Sequence, residues 1–485
     1  MPETDFLHYN AIYADGHFER EKLGALLNKG GAAGKIYQDV TNPHLVAKIF
    51  HDRNKSYTNR QKLEAMLHNR PNIPMQQCDG KDYVQIAWPE AVLEDDEGFC
   101  VGYLMPLINT EEAVSLDHLM QKAVRQRLGL SEKYANRLYA AYNVASMVAA
   151  LHTCGHYIVD LKPANVSVYK DKMLVAMFDC DGFSINGEKG RYPAEYVSEE
   201  YIYPEGMTQT CEEMGEEQDK FALAVILFKL LNNGIHPFSG IPHKQTDEML
   251  TIQDRIEKYH YAYGLFPDSY QDPNPYSIHN YFDPKTLELF DRAFVKGKKR
   301  PTAKEWMLHL EYLFTKIKEC KKNSDHIYFT NKGCGLCAVE EKFKQDVAAI
   351  KQEKAMPVKI RGIEVSELST EANEKIKKEN EEKLSRLTKI MWVAIFAYLV
   401  FFSLISFMLA PLKSLLTKCG YAMQLLMIVL LLKGLFMLID YVRLKQSVLK
   451  NTAWFNMLKI YALINMLVSF LLLNDFSFAL LALAN

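Results

Sequence analysis

Asp160, Lys162 and Asn165 fall within the run Val159-Asp-Leu-Lys-Pro-Ala-Asn165-Val166, so one polar turn carries a carboxylate, an ammonium and an amide. An apolar stretch follows and ends in Phe178-Asp179-Cys180-Asp181-Gly182-Phe183. These residue types suit phosphoryl transfer, which needs an oriented hydroxyl, screening of the γ-phosphate charge and a held divalent ion rather than covalent chemistry from the protein. Asp160 would accept the hydroxyl proton and Lys162 would face the γ-phosphate. Asn165 and Asp179 would give hard oxygen ligands to Mg²⁺ or Mn²⁺. The bland alternative, a polar turn before a strand, does not explain the other elements in register with it.

Those elements lie upstream. Lys29-Gly-Gly-Ala-Ala-Gly34-Lys-Ile-Tyr37 sets small residues between two strand-like runs, and Gly31 and Gly34 would let backbone lie close over nucleotide phosphates. Alone it would be an ordinary Gly-rich hairpin. Val46-Ala47-Lys48-Ile49 follows as a strand that aims Lys48 at a cleft beneath that hairpin. A helical segment from Asn59 to His68 has one acid, Glu64, expected to pair with Lys48 and hold it against the α- and β-phosphates of ATP. Strand-like runs (Lys35 to Gln38, Leu45 to Phe50, Gly102 to Met105) come early; helical patterns (Lys133 to His152, Asp219 to Asn232, Glu305 to Ile317) come late. A small strand-rich lobe should precede a larger helical one.

In this order the motifs resemble the eukaryotic-type (Hanks-type) Ser/Thr protein kinase domain, over roughly Lys22 to Phe314. The resemblance implies an α+β bilobal fold with a β-rich lobe over a helical lobe, ATP between them, and protein hydroxyls as acceptors. Lys162 is similar to the lysine of the Ser/Thr branch. Asp219-Lys-Phe-Ala resembles the helix whose buried aspartate braces the catalytic loop. Arg300-Pro-Thr resembles the arginine that pairs with the glutamate ending the activation segment, here Glu200 or Glu205. Leu151-His-Thr-Cys-Gly, His236-Pro-Phe and Arg300-Pro-Thr-Ala-Lys-Glu-Trp306 are similar to a bacterial membrane-anchored group encoded near PP2C-type phosphatases and von Willebrand-type proteins, which implies a cognate phosphatase among the partners.

Departures from the family pattern matter. Lys29 replaces the first glycine of the phosphate loop, and Ile158-Val159 replaces the His-Arg before the catalytic aspartate, so a phosphorylated activation loop would lack its usual partner. Asp-Phe-Gly is replaced by Asp179-Cys180-Asp181-Gly182. Asp179, fourteen positions after Asn165, matches the family spacing and is the expected metal ligand, with Asp181 a supporting or surface acid. These changes leave a rival reading: a pseudokinase that binds nucleotide and serves as a membrane scaffold.

Beyond the kinase region (22–318, after an N-terminal segment 1–21), Cys320, His326, Cys334 and Cys337 offer four N/S donors in 319–340, suited to a structural, zinc-ribbon-like Zn²⁺ site. A charged helical linker (341–389) leads to a tail with three apolar segments, 390–412, 419–440 and 458–483. The first holds 23 residues without a charge, enough to cross a bilayer as a helix. Basic residues flank the first segment and lie between the second and third, which predicts a multi-pass, all-α membrane tail contacting lipid, with the catalytic part cytoplasmic, at the inner membrane in a bacterium. No cleaved signal peptide is expected at Met-Pro-Glu-Thr-Asp. Lys and Arg number 57 against 59 Asp and Glu, with net charge −2, so nucleic acid is not an expected partner.

Overall fold

The computed structural model describes residues 6–28, 34–244, 250–355, 359–360 and 363–364, and the chain divides into two units, Met1–Met356 and Pro357–Asn485. Of the second unit, only a short antiparallel pair, Lys359–Ile360 with Ile363–Glu364, is described. The three apolar segments and Gly31 lie outside the described residues. Among the described residues, no helix is long and apolar enough to cross a membrane.

The small lobe is a closed antiparallel barrel. Its strands are β1 (Leu7–Tyr13), β2 (Phe18–Asn28), β3 (Gly34–Asp39), β4 (Leu45–Phe50), β5 (Ala91–Glu94) and β6 (Cys100–Pro106). They join in the order β1-β2-β3-β4-β6-β5, and β5 returns to β1 with Ala11 opposite Leu93. The lobe therefore begins at Leu7. The separate segment expected over 1–21 is corrected: strand pairing from Leu7 to Leu23 makes its described part a wall of the barrel.

Strand alternation sends the residues of β4 to two sides. Leu45 and Ala47 fill the barrel with Leu23, Leu93 and Leu104, while Val46 and Lys48 face the helix and the cleft outside it. Two glycines permit this close packing: a Cβ on Gly102 would meet the Lys48 carbonyl oxygen at 2.0 Å, and one on Gly34 would meet that of Ile49 at 2.5 Å. Helix α1 (Ser56–His68) closes the lobe toward the cleft, burying Leu63 and Met66. The Trp88 indole N–H donates to the Met66 carbonyl at 3.0 Å and ties the helix end to the following loop.

In the large lobe, α2 (Tyr134–Thr153) and α3 (Glu216–Leu231) lie at the centre, with α4 (Pro284–Phe294) and α5 (Ala303–Phe314) outside them. Helix α3 is apolar nearly all round, the pattern of a helix enclosed on every side. Its Phe228 ring packs with Tyr261, Tyr263, Phe282, Phe290 and Phe294 at centroid distances of 5.0 to 6.3 Å. Thr302 and Glu305 start α5 with reciprocal side chain to backbone bonds. A three-stranded sheet of β7 (Ala113–Ser115), β8 (Val166–Tyr169) and β9 (Val175–Met177) sits under the cleft, with Asn165 entering β8 and Asp179 leaving β9.

After α5 a short pair, β10 (Lys318–Glu319) and β11 (Ile327–Tyr328), precedes α6 (Gly335–Ala355). This segment is seated on the large lobe: Tyr134 N–H donates to the Asp325 carbonyl at 2.8 Å, and Lys332 Nζ to that of Asn280 at 2.9 Å.

Candidate active site

The turn that carries Asp160 is held from beneath. Asp219, in the first turn of α3 and wholly buried, accepts the backbone N–H of Ile158 and of Val159, both at 2.7 Å, and lies 3.0 Å from His152 Nε2. Val159 has φ +62°, a region that costs a β-branched residue about 1–3 kcal/mol. Two short bonds from a carboxylate oppose that cost. The neighbouring Gln218 accepts the Tyr203 N–H at 3.1 Å and donates to the Tyr201 carbonyl at 2.8 Å, so α3 also fixes the activation segment. Ile158 and Val159 are buried, packed where the family pattern has His-Arg.

On this support three of the predicted residues come together. Lys162 Nζ donates to Asp160 Oδ2 at 2.6 Å, and Asn165 Nδ2 donates to the Asp160 carbonyl at 3.2 Å. Asp160 Oδ1 is buried and has no partner among the described residues, which leaves an acceptor for an incoming hydroxyl. Lys162 also donates to Ser198 Oγ at 2.9 Å, a residue of the activation segment that sequence reasoning missed. No local motif marks Ser198; only the folded segment brings it here.

Across the cleft, Lys48 does not meet Glu64. Its Nζ donates to Asp181 Oδ1 at 2.7 Å and to Asp179 Oδ1 at 3.2 Å. Glu64 instead takes Arg60 Nε at 2.8 Å, and Arg60 also bonds Glu94 of β5, so the expected Lys48–Glu64 pair is corrected. The cause is helix rotation: the residues of α1 that line the cleft are Asn59, Lys62 and Leu63, and Glu64 belongs to a different face. Asp181 is not a surface acid either. Its side chain is 13% exposed against 65% for Asp179, and it also accepts the Tyr103 hydroxyl at 2.9 Å. Burial acts to lower the Lys48 pKa, but Asp181 and then Asp179 outweigh it and hold the ammonium above its ordinary value.

These groups line one cavity of about 660 Å³, shared by Gly34, Lys48, Asp160, Lys162, Asn165 and Asp179. The donor set fits a hard divalent ion, for Asn165 spends its amide N–H on Asp160 and keeps its carbonyl oxygen, while the Asp179 carboxylate stays accessible. Lys55 Nζ to Glu195 Oε2 at 2.7 Å and Lys62 Nζ to the Pro193 carbonyl at 3.1 Å tie α1 to the activation segment. At the far end of that segment Arg300 bonds Glu205 at 2.5 Å and Glu217 at 3.3 Å, so Glu205, not Glu200, is its partner there.

Away from the cleft, Cys320, His326, Cys334 and Cys337 offer ligand atoms that all lie within 4.8 Å of one another. Cys320 Sγ is 3.4 Å from Cys337 Sγ, and His326 Nδ1 is 3.3 Å from Cys337 Sγ and 3.7 Å from Cys334 Sγ. Four N/S donors spaced near the edge of a tetrahedron of about 2.3 Å bonds make a soft set suited to Zn²⁺. Backbone N–H groups of Lys322 and Asn323 hold the Cys320 thiol below its ordinary pKa.

Comparison with known proteins agrees with this geometry. The protein kinase domain family matches residues 101–313, beginning inside β6. Protein kinase YegI of Escherichia coli K12 is 29% identical over 335 residues, 66% of this chain and 49% of that protein. Protein kinase YegI of Escherichia coli O157:H7 is 28% identical over 330 residues, 65% of this chain and 48% of that protein. The chain thus spans about half the length of the curated relatives it matches.

Replacing Asp219 by Asn turns one acceptor oxygen into a donor facing a backbone N–H. The variant should lose about 1–3 kcal/mol of stability in denaturant unfolding, and amide exchange at Ile158 and Val159 should quicken. Unchanged protection at those two amides would show that the carboxylate does not hold the turn.

Proposed function

We propose that this chain is a protein kinase of the Hanks type that transfers the ATP γ-phosphate to Ser or Thr hydroxyls of protein substrates. The observation that carries this reading is the gathering of Lys48, Asp160, Lys162, Asn165 and Asp179 around one cavity. In this reading Asp160 Oδ1 orients the acceptor hydroxyl and takes its proton. Lys162, held between Asp160 and Ser198, screens charge on the transferred group, and its place in the Ser/Thr branch pattern supports Ser/Thr over Tyr acceptors. Asn165 and Asp179 would hold Mg²⁺, which when bound neutralises phosphate charge. Lys48 would exchange a carboxylate partner for the α- and β-phosphates. The pseudokinase reading is favoured by one observation, that Lys48 is occupied by Asp181 and Asp179 rather than set by a helix carboxylate.

Three further parts belong to the proposal. The Cys/His cluster binds one structural Zn²⁺, which would clamp the segment between β10 and α6. The apolar segments at 390–412, 419–440 and 458–483 anchor the protein in a membrane with the kinase on the cytoplasmic side, a reading supported by their lengths and flanking basic residues. A PP2C-type phosphatase is the natural opposing partner.

With the full-length chain, γ-labelled ATP, Mg²⁺ and a generic basic protein, Lys48→Ala, Asp160→Asn and Asp179→Asn should each reduce transfer by at least about 10²-fold. Equal residual labelling in all three and in the parent protein would decide for the scaffold. Metal analysis of protein purified under reducing, chelator-free conditions should find about one zinc per chain, lost in Cys334→Ser and Cys337→Ser; a zinc-free parent protein would remove the metal from the reading. The chain should stay in the membrane fraction through salt and carbonate extraction, and release by carbonate would withdraw the spanning segments.

A further inference from the structure

Helix α1 turns an unexpected charge toward the cleft. Asn59, Lys62 and Leu63, spaced as neighbours on one helical face, line the cavity that holds Lys48, Asp179 and Asp181. Glu64 is two residues beyond Lys62, about 200° around the helix, and cannot share that face. Its rotation is locked from outside, because Arg60 bonds Glu64 on its own helix and Glu94 on β5 at once. A turn of α1 that delivered Glu64 to Lys48 would break both pairs and drag Leu63 and Met66 out of the core.

The anion that Lys48 needs comes from the other side. Asp181 Oδ1 accepts both Lys48 and the fully buried Tyr103, which fixes this carboxylate between the floor of β6 and the lysine of β4. A buried carboxylate so placed can serve a second cation, and Lys62 is available on the cavity wall. Asp181 is also the largest of the influences that support the Lys62 charge, against burial that pulls its pKa down to about 8. Its present hydrogen bond is to a neutral backbone carbonyl, that of Pro193, so its charge has no ion-pair partner within bonding distance among the described residues.

We propose that Lys62 is the residue of α1 that works in this cleft, and that Lys48, Asp181 and Lys62 form a line of alternating charge that positions Lys48 for the nucleotide phosphates. The inference rests on the reading of the cleft as the nucleotide site. In this arrangement Asp181 takes over the task expected of Glu64. Lys62, on the same cavity wall, holds the Asp181 carboxylate in place beside Lys48. Asp179 is then free to leave Lys48 and ligate the metal, which divides the two aspartates by role: Asp181 for the lysines, Asp179 for the ion. Lys62 is a positioning residue, since it acts on the phosphates through Asp181 and Lys48.

The test is nucleotide binding by the full-length chain, which does not require transfer. Calorimetric titration with Mg-ATP should show Lys62→Met weakening binding about tenfold, as expected for loss of one charged contact, with the thermal midpoint unchanged. Lys62→Arg should recover most of the affinity. In an Asp181→Asn background Lys62→Met should have little further effect, because the two act as a unit. A Lys62 that merely ties α1 to the Pro193 carbonyl would leave ATP affinity intact and add independently to Asp181→Asn, and either result would overturn the proposal, as would a parent chain that binds no ATP. A parent chain that binds ATP but transfers nothing would sink the kinase reading alone.

Discussion

The candidate site depends on a buried carboxylate that does not line its cavity. Asp219 receives two successive backbone N–H groups and so holds Val159 in a left-handed conformation that a β-branched residue would otherwise avoid. The next residue is Asp160, which lines the cleft. Because Asp219 stands in the first turn of the most enclosed helix, its position is inherited from the packing of the whole large lobe. Gln218, one residue earlier, ties the activation segment to the same helix end. The turn that carries Asp160 and the segment around Tyr201 and Tyr203 thus share a single mount.

The parts legible in the sequence were those written in contiguous residues. The turn from Asp160 to Asn165, the strand bearing Lys48 and the approximate limits of the three long helices follow from local pattern, because spacing along a chain determines which residues share a turn or a face. What failed was the pairing of Lys48 with Glu64. Helix periodicity identifies the faces of α1 but not which face meets the cleft, and that was decided by Arg60 reaching across to Glu94 on a strand some thirty residues later. For Asp181 the sequence left a supporting and a surface acid open, and its bonds to Lys48 and to Tyr103 across the cleft decide for the first. Ser198 carries no signal at all until the segment folds over Lys162. The choice between Glu200 and Glu205 also needed Arg300 in three dimensions.

The loss of the usual arginine before Asp160 has a structural counterpart. Val159 fills its place as core, and the activation segment is held by side chains already present: Lys55 with Glu195, Lys62 with the Pro193 carbonyl, Lys162 with Ser198. These three bonds hold the segment against α1 and the turn that carries Asp160. The Cys/His cluster makes a comparable statement for its own segment, where Asp325 and Lys332, both between Cys320 and Cys334, are already bonded to the large lobe.

The closure of the small lobe has a consequence of its own. In an open sheet the outermost strand presents unpaired amide and carbonyl groups, a template for the extended segment of another molecule and a starting point for aggregation. Here β5 bonds back to β1 and the circuit of six strands is complete, so among the described residues the barrel presents no such template. A regulator cannot join this barrel by lending it a strand; it must recognise side chains on the outer wall. The same closure makes the barrel a poor seed for misassembly between copies.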